Sequence, residues 1–160
     1  MILHEPPLLG LLAGDADAEP ILAESNRRIS SVVERIASGD HAGAARQFVE
    51  EVALGPGQWD VLSPEVQHAF TTNAPTFLDE SREGLYALSI DLDAVSRLTR
   101  PTLLSRGDQS PPFFPLVIAK LAAALPMAEQ RVIAGAGHVP HQSHPAEYAE
   151  IVRDFCSKVT

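Results

Sequence analysis

The hydrophobic positions of this chain change their period twice. Met1-Ile2-Leu3 is a short apolar run closed by His4-Glu5-Pro6-Pro7. It predicts the end of a strand over residues 1–4, because proline donates nothing to a ladder and confines a strand. Residues 8–18 show no clear period. Between 20 and 38, Ile29, Val32, Val33 and Ile36 fall at i, i+3, i+4 and i+7, the single stripe of an amphipathic helix. Gly39 is suited to stop that helix and Asp40 to cap the next, whose apolar face is Ala45, Phe48, Val49 and Val52. GPGQW, 55 to 59, breaks the pattern. Ser63-Pro64 then opens another helix with a capping residue and a proline at its first position. Pro75 interrupts it, shorter helical pieces run to about residue 90, and Asp93 is placed to cap one more turn.

Beyond residue 100 the reading alternates. Pro101 to Ser105 predicts a short buried strand ended by Arg106-Gly107-Asp108. An Ala/Leu-rich helix follows over 113–125 and stops at Pro126. Gln130 to Ile133 predicts a further strand, ended by Gly135-Ala136-Gly137. Pro145 begins the last helix, whose stripe is Tyr148, Ile151, Val152 and Phe155. Strands alternating with helices imply the α/β class, with a parallel sheet and crossover helices. Few strands are present, although a parallel sheet needs cover on both faces and rarely stands at three short ones.

Composition narrows the partners. The formal net charge of −9 and the lack of any Lys/Arg cluster argue against nucleic acid and anionic membranes. No apolar stretch is long enough to span a bilayer, and MILHEPPLL has no basic residue ahead of its apolar ones, unlike a secretory signal. A soluble, cytoplasmic protein is the expectation. The single cysteine, Cys156, excludes an internal disulfide and a cysteine-only metal site; it is expected to pack beside Phe155. His138, His141 and His144 stand three apart, but on a loop that spacing says little, and neither a metal nor a cofactor is expected.

Three stretches carry a resemblance. LHEPP (3–7), RPTLLSRGDQSP (100–111) and GAGHVPHQSHPAEYAEIVRDF (135–155) resemble, in that order, the ends of the sixth, seventh and eighth strands of an α/β-hydrolase with the last helix. The helical block between the first two resembles a lid. The implied fold class is a partial α/β-hydrolase fold: few parallel strands with flanking helices plus an inserted helical lid. Residues 1–9 would be a strand end of the core, 10–97 the lid, and 98–160 the C-terminal part of the core.

The resemblance implies a triad in which His138 is the general base, set on a Gly-rich turn where Gly135 and Gly137 let an imidazole project over the sheet's edge. Many such proteins place the acid three residues past the glycine that follows the seventh strand. Here Ser110 holds that position and carries no charge. Others place it after the sixth strand, where this chain has Glu5; Asp108 is the alternative. The nucleophile normally sits on a G-x-S-x-G elbow, and these 160 residues contain none. The implied activity is hydrolysis of a small, largely apolar substrate through an ester, C–C, epoxide or carbon–halogen bond in a full-length form, with this chain inactive alone. Trp59, Phe70 and Phe77 are candidates to line an apolar pocket in the lid. Two alternatives stay open: a non-catalytic small-ligand-binding or regulatory module, and a half complemented by a separate chain; the partners to expect are a small apolar substrate or ligand and either such a complementing chain or further copies in a homo-oligomer.

Overall fold

The computed structural model describes residues 1–82 and 90–159. In chain order it shows β1 (Ile2–His4), a 3-10 turn (Leu9–Leu12), α1 (Glu19–Ala37), α2 (His41–Gln47), a π-helical turn (Phe48–Ala53), α3 (Gln58–Val61), α4 (Pro64–Asn73) and α5 (Thr76–Arg82). Then follow α6 (Leu92–Ser96), β2 (Thr102–Gly107), α7 (Phe113–Ala124), β3 (Ala128–Ile133), α8 (Pro140–Ser143) and α9 (Pro145–Val159). The helical pieces expected at 83–89 lie outside the described residues. The chain divides into two compact units, Met1–Ala13 with Leu88–Thr160, and Gly14–Ala87. The 3-10 turn and α6 therefore group with the sheet rather than with the helical block.

The sheet unit is three parallel strands in the order β1-β2-β3. His4 lies beside Ser105, and Ser105 beside Arg131. Both later strands outrun their apolar cores: β2 continues through Arg106-Gly107, and β3 begins at Ala128. Backbone pairing in register carries them past the residues that hydrophobicity alone marks. β2 is central and buried, with Thr102, Leu103, Leu104 and Ser105 all inaccessible. α7 packs on β2 and β3 through buried Phe114, Val117, Ile118 and Leu121, and also holds the 3-10 turn carrying Leu9 and Leu12. α9 packs on β3 and buries Phe155 alone of its stripe. Cys156 is exposed, not packed beside Phe155, because one helical step turns it about 100° off that stripe. α6 is capped by Asp91, whose carboxylate accepts from Asp93 N and Ala94 N. Asp93 sits inside the first turn and is not the cap.

Because the strands are parallel, their C-terminal ends share one edge, where α/β sheets collect their chemistry. Glu5 follows β1, Asp108 follows β2, and His138 lies in the loop after β3.

The helical unit has its own core of Val32, Ile36, Ala44 and Ala74, with Phe48, Val52, Phe77 and Leu78 packed against it. Asp40 caps α2 by accepting from Gly43 N at 2.9 Å, and Gly39 ends α1 at φ +87°, a conformation open to glycine at no steric cost. α2 runs into the π-helical turn, so the expected face divides: Ala45 and Val49 are buried, while Phe48 and Val52 are half-buried. No helix among the described residues is long and apolar enough to cross a membrane.

Candidate active site

Glu5 is the best-fixed polar side chain of the sheet edge. It is 1% exposed, and its backbone stands at φ +42°, a left-handed conformation that costs a residue with a Cβ roughly 1–2 kcal/mol. The bond from Glu5 N to the Ser105 carbonyl, 3.1 Å, holds that kink, and Pro6 follows at once. Strain of this sort persists only where its surroundings over-determine it. Its effect is to turn the side chain of a strand-end residue back over β2.

There both carboxylate oxygens are used. Oε1 accepts from Gly107 N at 2.7 Å. Oε2 lies 2.7 Å from His138 Nδ1. An ionised carboxylate only accepts, so Nδ1 carries the proton and Nε2 presents its lone pair. Burial alone would raise the Glu5 pKa; the hydrogen bonds from His138 and Gly107 N, with the nearby Ser110 hydroxyl and His4, outweigh it and hold the carboxyl below its ordinary 4.5. Ser110 Oγ itself is buried and completes no hydrogen bond of ordinary geometry among the described residues. Its part is as a polar neighbour to the carboxylate.

The His138 ring has two ring neighbours. Phe114 stacks on it at 4.7 Å with 12° between planes, and His4 lies 6.3 Å away at 26°. One edge stays open, the side chain being 33% exposed. His4 is in turn held by Ser105 Oγ, 3.0 Å from its Nδ1, and by the edge of Tyr148 at 5.4 Å. Burial keeps the His4 imidazole below its ordinary 6.5, against the opposing pull of the Glu5 carboxylate and the His138 carbonyl. His4 gave no signal in the sequence beyond closing a strand; its neighbour-register with Ser105 is what brings it in.

Two glycines shape the loops. Gly135 stands at φ +72°, as a tight turn before the histidine requires. Gly137 does not: its φ is not positive, and a Cβ there would meet nothing within 4 Å. The sterically demanding glycine is Gly107, where a Cβ would lie 2.1 Å from the Ala136 carbonyl oxygen.

The other candidates are placed elsewhere. Asp108 is exposed, and its Oδ1 accepts from Gly135 N at 2.7 Å; it supports the histidine loop rather than the histidine, and it does not cap α7, whose first turn has no side-chain cap. His141 is exposed and His144 turns its Nδ1 to Ser143 Oγ at 2.9 Å, so neither converges on His138. In the helical unit, Phe70 and Phe77 line a cavity of about 450 Å³ walled largely by apolar residues such as Val32, Ile36 and Phe48. Trp59 lies outside it, its carbonyl accepting from Gln67 Nε2.

Comparison with known proteins bears on the fold. No curated protein matches the chain in sequence. Among solved structures, MenH from S. aureus is 14% identical at a TM-score of 0.65 over 98% of this chain and 58% of its own. A thermophilic esterase from Thermogutta terrifontis is 20% identical at 0.63, over 99% and 55%. The esterase RhEst1 from Rhodococcus sp. ECU1013 is 17% identical at 0.56, over 74% and 42%. At these identities the likeness is one of fold, and the chain spans little more than half the length of the first two. The family model described as the alpha/beta hydrolase family matches residues 2–151. With nearly the whole chain inside that match, and with the partial fold of parallel strands and flanking helices it implies, this protein belongs to the alpha/beta hydrolase family.

Proposed function

We propose that this chain supplies the acid–base half of a hydrolase active site, acting on a small, largely apolar substrate. His138 is the general base and Glu5 its acid. One observation carries the reading: the 2.7 Å bond between His138 Nδ1 and a buried carboxylate that Gly107 N pins from behind. In that state Nε2 takes the proton of a nucleophilic hydroxyl as it attacks, Glu5 offsets the imidazolium charge, and the proton passes on to the leaving group. Ester, C–C, epoxide and carbon–halogen cleavage all use a base placed this way, and the nucleophile distinguishes them.

Since no G-x-S-x-G elbow occurs in the 160 residues, the chain by itself has no triad chemistry; a protein or partner chain carrying an elbow completes it. The cavity of the helical unit, with Phe70 and Phe77 in its wall, favours a second reading, a ligand-binding module without chemistry. Two measurements on the chain test the proposal. A fluorophosphonate labels no residue stoichiometrically, and stoichiometric labelling overturns the inactivity. Nitrogen-15 spectra show His138 protonated at Nδ1; an Nε2–H tautomer overturns the base role.

A further inference from the structure

The polar cluster at the sheet edge holds one imidazole nitrogen that hydrolysis does not use. His4 Nδ1 engages Ser105 Oγ at 3.0 Å, which aims Nε2 at Glu5 Oε2, 3.9 Å away. Nε2 is buried and completes no hydrogen bond among the described residues. The gap is too long for a shared proton, and His4 can present Nε2 to a cation in either tautomer: as a lone pair when Nδ1 donates to the Ser105 hydroxyl, or on loss of the Nε2 proton when Nδ1 accepts from it. Two acceptors facing one another in a buried site are stabilised by a cation between them. His138 Nδ1 approaches the same Oε2 from the other side, and the three ligand atoms lie within 4.8 Å of one another.

We infer that His4 Nε2, Glu5 Oε2 and His138 Nδ1 form a site for a borderline divalent transition-metal ion, of which zinc is the type, and that its occupancy switches the base off. Two imidazoles and a carboxylate are an established zinc donor set. Tetrahedral coordination at zinc–nitrogen distances near 2.0–2.1 Å needs donors about 3.3 Å apart. The observed 2.7 Å and 3.9 Å separations bracket that value, so both pairs adjust by well under an ångström. The outer contacts are in place as well: Ser105 Oγ orients His4, and Gly107 N holds the second oxygen of Glu5. Such contacts fix the tautomer and direction of metal ligands.

The metal displaces the Nδ1 proton of His138, which leaves to solvent. Neutral imidazole then carries its remaining proton at Nε2, the atom that otherwise accepts from a nucleophile. Metal and general-base states are therefore mutually exclusive at this histidine. The donor geometry stands independently of the hydrolytic reading; only the inhibitory consequence rests on it.

The test is metal binding to the intact chain in chelator-stripped buffer, read without any activity. Zinc titrated calorimetrically binds with one-to-one stoichiometry, and cobalt gives the strong visible absorption of a tetrahedral site. His141→Ala/His144→Ala, which removes the surface histidines nearby, keeps both signals. His4→Phe and His4→Gln each weaken binding at least tenfold, and two different replacements guard against a folding defect in one. Absence of binding to the parent, unchanged affinity in both His4 variants, or loss of binding in the His141/His144 variant overturns the site. An Nδ1–H tautomer at His138 in the metal-free chain tests the base role separately, so either reading can fail alone.

Discussion

Replacing Glu5 by glutamine removes one charge and almost no volume. The carboxylate accepts two bonds of 2.7 Å, from Gly107 N and His138 Nδ1. Hydrogen bonds to a charged partner contribute about 1.5–3 kcal/mol each, and neutral ones about 0.5–1.5. In Glu5→Gln the amide oxygen keeps the backbone donor of Gly107, which has no alternative acceptor in that register. The amide NH2 then faces His138. Two N–H groups cannot meet across 2.7 Å, so His138 gives up the Nδ1 proton and carries it at Nε2 instead. The two weakened bonds cost about 2 kcal/mol, and relief from burying a charge returns part of that. The net loss is about 1–2 kcal/mol, a fall in Tm of roughly 2–8 °C for a chain of this size. Glu5→Ala leaves both donors unmet beside a cavity and costs about 3–5 kcal/mol. Nitrogen-15 shifts of His138 in metal-free buffer read the tautomer, and thermal unfolding reads the cost. An Nδ1–H signal that survives Glu5→Gln, or an unchanged Tm in both variants, refutes the reasoning. In a complete enzyme the wrong tautomer lowers kcat by on the order of 10⁴, the value known for the same swap in the Ser-His-Asp template.

Three further outcomes follow from the same edge of the sheet. Native Glu5 titrates below its ordinary 4.5, so the unfolded chain binds more protons at acid pH. The stability it contributes is full above about pH 4.5 and drains away as pH drops through the lower folded value; denaturant unfolding across pH 6 to 3 shows this fall in the parent and a flatter course in Glu5→Gln. Gly107→Ala puts a Cβ 2.1 Å from a backbone oxygen that no rotamer can move, forcing β2 from the Ala136 loop and lengthening the bond from Gly107 N to Glu5. Overpacking of about 1–3 kcal/mol adds to a damaged charge-assisted bond, and a Tm within 2–3 °C of the parent at this 160-residue size contradicts it. Asp108→Ala removes the acceptor of Gly135 N on an exposed side chain, costs about 1 kcal/mol, and leaves the His138 tautomer unchanged; a tautomer flip there makes Asp108 the acid instead.

Much of this was legible in the residue order because it rests on local chemistry. The stripe of Ile29, Val32 and Ile36, the Asp40 cap, the Ser63-Pro64 helix start and the glycine at Gly39 each depend on neighbours within about one turn. Strand, helix, strand and helix after residue 100 implied parallel strands, and parallel strands put Glu5, Asp108 and His138 at one edge. Both acids therefore remained eligible. Which of the two meets the histidine is a tertiary fact: the left-handed turn at Glu5 aims one carboxylate into the sheet, where it contacts His138, while Asp108 is spent on the amide of Gly135. Nothing in the local pattern distinguishes Gly107, which matters through a loop some thirty residues away, from Gly137, which has open space around it. His4 is the same case. Its spacing from Glu5 is visible in the sequence, but its aim is decided by Ser105, 101 residues along the chain and adjacent only once β1 and β2 pair. Short-range preferences set which elements form; the direction of each functional side chain waits on strand register and close contact, which exist only in the folded chain.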